Sequence, residues 1–319
     1  MINRRHFSIT AILACAGCGA RTEAQNTPAQ AAPLTLAAAR AGFRTTVKYD
    51  SSFGIVMPPA PKKIFSTVSY TSPVGELGAY LTPDPKDGKR HPAIIWLTGS
   101  ESNTIDEMWT PRDRGNDQSA AAYRKAGIIM MFPSLRGGNK NPGKIEAMYG
   151  EVDDILAAAD YLSALPYVDP KRIFLGGHST GGTLVALTAE VKGSRFRAVI
   201  ASGAVEDVAL YPPQIMPVDF TKLPREERVL RAPIAWLPSV EGHLFMVEGD
   251  GGNIESLRAM RKVNSNPNIT FVEVPNASHF TVLAPLNEVV ARKIVADSGE
   301  GPVFSLSAEE ITAQMGESG

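Results

Sequence analysis

From Lys62 onward, short apolar runs alternate with longer stretches whose apolar residues recur every three or four positions. KKIFSTVSYTS and GELGAYLTP lie on either side of a Pro73-Val74-Gly75 turn. With Phe65 and Val68 on one run and Leu77 and Tyr80 on the other, they predict an antiparallel hairpin. AIIWLTG, AGIIMMFPS, RIFLGG, FRAVIASG, HLFMVEG and NITFVEV follow as brief continuous apolar runs, the pattern of strands buried on both faces. Between them, GEVDDILAAADYLSAL places Val152, Ile155, Leu156, Ala159 and Leu162 at helical spacing with its acids opposite. GGTLVALTAEV, NIESLRAMRKV and LNEVVARKIVA read as further helices. Strand–helix alternation of this kind predicts an α/β fold: a mostly parallel sheet of about eight strands with helices on both faces. Residues 206–240 break the rhythm. They are rich in proline, hold Tyr211 and Trp236, and read as a small lid insertion over the carboxyl edge of the sheet.

The first twenty residues, MINRRHFSITAILACAGCGA, set two arginines before an apolar stretch too short to span a bilayer. Residues 1–18 therefore read as an export signal. RRHF resembles a twin-arginine signal, and CAGC resembles a lipoprotein box ending at Cys18, although Cys15 stands where an aliphatic residue is usual. The expected location is the periplasm of a bacterium, or its membrane through lipid on Cys18. Residues 19–45, rich in Ala, Gln, Thr and Pro over much of their length, read as a tether. Residues 46–299 read as the folded domain and 300–319 as a tail.

Composition narrows the chemistry. A formal net charge of −1 over 319 residues offers nucleic acid no basic surface. The only two cysteines are Cys15 and Cys18, so the body has no disulfide framework and no thiolate metal site. The five histidines show no metal-ligand spacing, so no protein-built zinc site is expected.

Gly177-His178-Ser179-Thr180-Gly181 fits G-x-S-x-G between a strand and a helix. A nucleophile elbow needs small flanking residues because the turn is sharp, and it presents the serine at a helix N-terminus that favours an oxyanion. A serine hydroxyl needs a base. His6 and His91 precede it, His178 adjoins it, and His243 opens a strand; His279, in VPNASHFTVL after the last strand, is left. The orienting acid should follow HLFMVEG, where Glu248 and Asp250 both stand, with Asp207 a distant third. The usual aspartate position is taken by Gly252, so the choice between Glu248 and Asp250 stays open. The oxyanion donors are expected at the Thr180 and Ser100 N–H groups, the latter from the loop WLTGSESNT.

SLRGG, YGEVDDILAAADYLSALPYVDPKRIFLGGHSTGG and ASHF together resemble the catalytic domain of the prolyl oligopeptidase family, within the α/β-hydrolase superfamily, over roughly residues 62–297. The resemblance implies an α/β-hydrolase fold and a serine hydrolase with Ser179 as nucleophile, His279 as base and no cofactor. Larger peptidases of that family carry an N-terminal β-propeller, for which about 44 residues between leader and first strand leave no room. The expected substrates are therefore esters or amides of small molecules, or short peptides. A true peptidase and a non-catalytic binding lipoprotein are the alternatives.

Overall fold

The apolar runs form eight strands of one sheet in the computed structural model, which describes residues 35–110 and 112–316. The expected leader, 1–18, and residues 19–34 lie outside the described residues. In chain order the elements are α1 (Leu36–Arg40), β1 (Ser66–Ser72), β2 (Gly75–Leu81), β3 (His91–Leu97), α2 (Ala121–Lys125), β4 (Ile129–Pro133), α3 (Glu151–Ala164), β5 (Val168–His178), α4 (Thr180–Lys192), β6 (Val199–Ser202), α5 (Arg225–Val229), β7 (Leu244–Gly251), α6 (Ile254–Val263), β8 (Ile269–Ser278), α7 (Leu283–Ala296) and α8 (Ala308–Met315). The sheet order is β1-β2-β4-β3-β5-β6-β7-β8. The hairpin β1–β2 and the β2–β4 pair are antiparallel, and every other pairing is parallel.

Alternate side chains of the central strands feed two cores. Ile95, Leu97, Ile173 and Leu175 pack on one face with α3 and α4, whereas Ile94, Trp96 and Phe174 pack on the other with α7 and α8. This two-sided burial is why the strands read as continuous apolar runs rather than as alternating ones. All parallel strands therefore end on one edge, where their loops converge.

A buried ion pair fixes one of those loops. Arg136, after β4, gives Asp154 of α3 three hydrogen bonds: backbone N–H at 3.0 Å, Nε at 2.9 Å and Nη2 at 2.9 Å. Burial opposes the charge on Arg136, but Asp154, Glu151 and Glu146 together hold its guanidinium above the usual range. Removing one partner would leave the other charged and buried. Asp154→Ala should therefore cost about 3–5 kcal/mol in urea unfolding; a loss below about 1 kcal/mol would show that the pair is replaceable.

Glu190 is the opposite case. It is buried on α4, and among the described residues neither carboxyl oxygen has a hydrogen-bond partner. Burial pushes its carboxyl well above the ordinary glutamate range. A raised carboxyl pKa stabilises the fold fully below the unfolded value and loses that contribution as pH rises toward the folded one. Relative to Glu190→Gln, the parent protein should lose stability steadily above about pH 4.5. Parallel stability–pH curves would contradict this.

Order extends into both flanking stretches. Within the stretch read as a tether, α1 is capped by Thr35 and buries Leu36 at 1% exposure. Within the stretch read as a tail, α8 begins with a capping box made by Ser307 and Glu310, and buries Ile311. The described fold thus starts near residue 35 and reaches 316, not 46 to 299. Residues 206–240 contain α5 and several 3-10 turns and add no strand.

Candidate active site

Ser179 stands between β5 and α4 with φ 56° and ψ −117°, a backbone conformation costly for any residue with a side chain. It is held there by its own N–H, which donates to the Ser202 carbonyl at 2.8 Å, and by its carbonyl, which accepts from the Thr183 N–H at 2.9 Å. The turn also needs Gly177, where a Cβ would lie 2.6 Å from the Gly181 carbonyl oxygen. The glycines around the serine are thus there because the strand and the helix approach backbone to backbone.

His279 follows β8, and its Nδ1 lies 3.0 Å from Glu248 Oε2. Glu248, at 1% exposure, also accepts from the Gly249 N–H at 2.8 Å and the Asn253 N–H at 3.0 Å. Those bonds aim the carboxyl inward. Gly203, after β6, has φ +68° and leaves space for the pair: a Cβ there would sit 2.5 Å from His279 Cε1.

The structure therefore separates the two candidate acids. Glu248 meets His279, whereas Asp250 is exposed and accepts from the Asn276 N–H at 3.0 Å. Side chains alternate along an extended strand, so Glu248 and Asp250 would share a face were it not for the register shift between Gly249 and Gly251. Asp207 is used locally, accepting from the Ala209 N–H at 2.9 Å to cap a 3-10 turn.

The two expected oxyanion donors face each other across the loop after β3. Thr180 Oγ1 donates to the Ser100 carbonyl at 2.6 Å, and Ser102 Oγ donates to Thr180 Oγ1 at 2.9 Å. Ser100 has φ 70°, a left-handed conformation maintained by these contacts. Asn103 anchors the far end of the loop by donating to the Arg136 carbonyl at 2.8 Å and Glu151 Oε1 at 3.2 Å. Among the described residues, neither the Ser100 nor the Thr180 N–H has a hydrogen-bond acceptor. The adjacent Gly99 N–H is engaged by Gln118 Oε1 at 3.1 Å.

Tyr211, named in the sequence only as part of the irregular insertion, reaches the elbow. Its hydroxyl is 2.7 Å from Thr183 Oγ1, which accepts from the Val205 N–H at 3.0 Å. Burial pushes the phenol well above its ordinary range, and the Glu248 charge adds to the rise, so it remains a neutral donor. Tyr211 also borders a cavity of about 680 Å³ with Pro213, Val218, Phe220 and Arg228. Nothing in the composition of the insertion marked Tyr211 over its other aromatics; its partner Thr183 lies one helical turn beyond Ser179.

Residues 116–249 match the prolyl oligopeptidase family, a span that includes Ser179 and Glu248 and ends before His279. Dipeptidyl-peptidase 5 of Porphyromonas gingivalis is 32% identical over 131 residues, covering 39% of this chain and 18% of that protein. Protease 2 of Moraxella lacunata is 26% identical over 127 residues, covering 37% of this chain and 17% of that protein. The chain thus spans under a fifth of the length of these relatives. Among solved structures, a Pyrococcus furiosus esterase superposes with a TM-score of 0.55 at 17% identity, over 75% of this chain and 96% of that one. The fold is that of the α/β-hydrolases.

Proposed function

We propose that this chain is a serine hydrolase of the prolyl oligopeptidase type, cleaving esters or amides of small molecules or short peptides through an acyl-enzyme on Ser179. The observation that carries the reading is the His279–Glu248 hydrogen bond beside a serine held at a strained strand–helix turn. In the first step Ser179 Oγ attacks the substrate carbonyl and His279 Nε2 takes its proton. Glu248 accepts the Nδ1–H of His279, which selects the tautomer and stabilises the imidazolium that forms. Negative charge developing on the substrate oxygen is met by the Ser100 and Thr180 N–H groups. Collapse expels the alcohol or amine, which takes the proton back from His279. Water, deprotonated by the same imidazole, then releases the acid and frees the serine.

Among the described residues, no hydrogen bond joins Ser179 to His279; bonds between a nucleophile and its base commonly tighten when substrate binds. The cavity beyond Tyr211 suits a small molecule or a few residues of peptide. An activated fluorophosphonate should label the protein at Ser179, and mass spectrometry of the labelled peptide identifies the site. Absence of labelling would favour the non-catalytic binding reading. A panel of p-nitrophenyl esters and aminoacyl nitroanilides then separates esterase from peptidase, since an amine leaves only with effective general-acid help.

Export and lipid attachment belong to the same reading and rest on residues 1–18 alone. Cell fractionation of the parent and of Cys18→Ala tests both: loss of membrane association in the variant supports lipidation, and a cytoplasmic parent removes the export reading.

A further inference from the structure

His178 adjoins the nucleophile in sequence, yet it takes no place in the reaction above. It is fully buried, and both ring nitrogens are engaged. Nε2 lies 2.9 Å from the His279 carbonyl oxygen, which can only accept. Nε2 therefore carries the proton, and Nδ1 of the neutral ring must accept. The partner of Nδ1 is Gln118 Nε2 at 2.9 Å, which donates. The other end of the same amide, Oε1, accepts from the Gly99 N–H at 3.1 Å. Turning the amide over would set donor against donor at Gly99 and acceptor against acceptor at His178. One arrangement satisfies all the groups, with every donor pointing the same way: Gly99 to Gln118 to His178 to His279.

We propose that Gln118 and His178 are positioning residues, forming a directed hydrogen-bond chain that holds the oxyanion loop and the base His279 in register with Ser179. The proposal deepens the serine-hydrolase reading and rests on it. Geometry favours such a role at both ends of the chain. At one end, Gly99 precedes the expected donor Ser100, and a Cβ on Gly99 would lie 3.2 Å from both His178 Nδ1 and Ser179 Cβ. At the other, the chain grips the main chain of the very residue whose ring must meet Ser179. The His178 and His279 rings are 4.4 Å apart between centroids, and Phe280 packs against both, at 5.7 Å from His178 and 4.9 Å from His279. Gln118 itself comes from the segment before α2, so one side chain connects the loop after β3 with the end of β5. Hydrogen bonds aligned head to tail polarise one another, so the chain is stiffer than separate bonds would be.

The neutrality of His178 matters as much as its bonds. Burial, then the neighbouring His279, push its pKa down to about 3. His178 thus stays a single tautomer while His279 gains and loses its proton. A cation at His178 would oppose the imidazolium that catalysis needs at His279. The titratable or charged groups facing this pair are Glu248 on Nδ1 of His279, the two imidazoles themselves, and the Tyr211 phenol on Thr183.

Two variants of the full chain test the chain of bonds. Gln118→Leu cannot accept from Gly99 or donate to His178. It should lower kcat on an activated ester about 10- to 100-fold while KM stays within about threefold. Gln118→Glu can still accept from Gly99 but presents an acceptor to His178 Nδ1, and so draws a second proton onto that ring. In this variant kcat should fall and the acid limb of the rate profile should move to lower pH, because a charged His178 disfavours protonation of His279. Nitrogen-15 NMR of the histidines gives a readout independent of turnover. His178 in the parent should keep one tautomer between about pH 5 and about pH 9, and in Gln118→Glu it should be doubly protonated at the acid end of that range. Should Gln118→Leu fail to fold, the Gln118→Glu profile decides. Gln118→Leu folded with kcat within about twofold of the parent, or a Gln118→Glu profile superimposable on it, overturns the proposal. Failure of Ser179 to take the fluorophosphonate label would instead remove the hydrolase reading, and the NMR titration would still report whether the chain of bonds exists.

Discussion

Ser179→Ala should lower kcat on an activated ester by roughly five to six orders of magnitude, because nucleophile, base and acid act as a unit and removing one disables the rest. The residual rate should still exceed that in water, since the Ser100 and Thr180 N–H groups survive the change. The fold should survive too. The hydroxyl is not among the bonds that hold the turn; those are made by the Ser179 main chain to Ser202 and Thr183. The melting temperature should therefore change little, and fluorophosphonate labelling should disappear. Turnover within about tenfold of the parent, in protein free of other esterases, would place the nucleophile elsewhere.

Glu248→Gln should lower kcat by about four orders of magnitude, whereas Asp250→Asn should leave it within about threefold. The contrast follows from where the two carboxyls lie. Glu248 is buried against His279 Nδ1 and pinned by two N–H groups, from Gly249 and Asn253. An amide in its place would present a donor to at least one of these donors, and would no longer select the tautomer that leaves Nε2 free to accept. Asp250 is exposed and meets only the Asn276 N–H. Kinetics of the two variants on one ester, with Tm measured in parallel, checks this. Equal losses in both would mean that the segment after β7 responds as a whole; mild effects in both would mean that the enzyme works as a Ser–His dyad.

How much of this was legible before folding can be judged residue by residue. The eight strands and the four long helices follow from periodicity, because a strand buried on both faces and a helix buried on one each impose a local pattern on the chain. Ser179 was legible for the same reason: the elbow is made of consecutive residues, and its glycines answer steric needs within that turn. His279 followed from chain order. The short helices α1, α2, α5 and α8 were not legible, since elements of five to eight residues owe their stability to what they pack against.

The acid shows where sequence stopped. Glu248 and Asp250 are two residues apart at the end of one strand, and both are carboxylates of suitable reach. Only the register shift between Gly249 and Gly251, with the inward N–H groups of Gly249 and Asn253, turns one toward His279 and the other toward solvent. Gln118 and Tyr211 show the same limit at longer range. Gln118 lies 60 positions from His178 and Tyr211 lies 28 from Thr183, and neither spacing carries a local signal. The sequence by itself determined the sheet, the helices that cover it and the strand–turn–helix setting of Ser179, because those depend on hydrophobic periodicity and on sterics within one turn. The tertiary structure alone decided which carboxylate meets His279 and which side chains bond to its neighbours, because hydrogen bonds between distant loops depend on where strand ends converge.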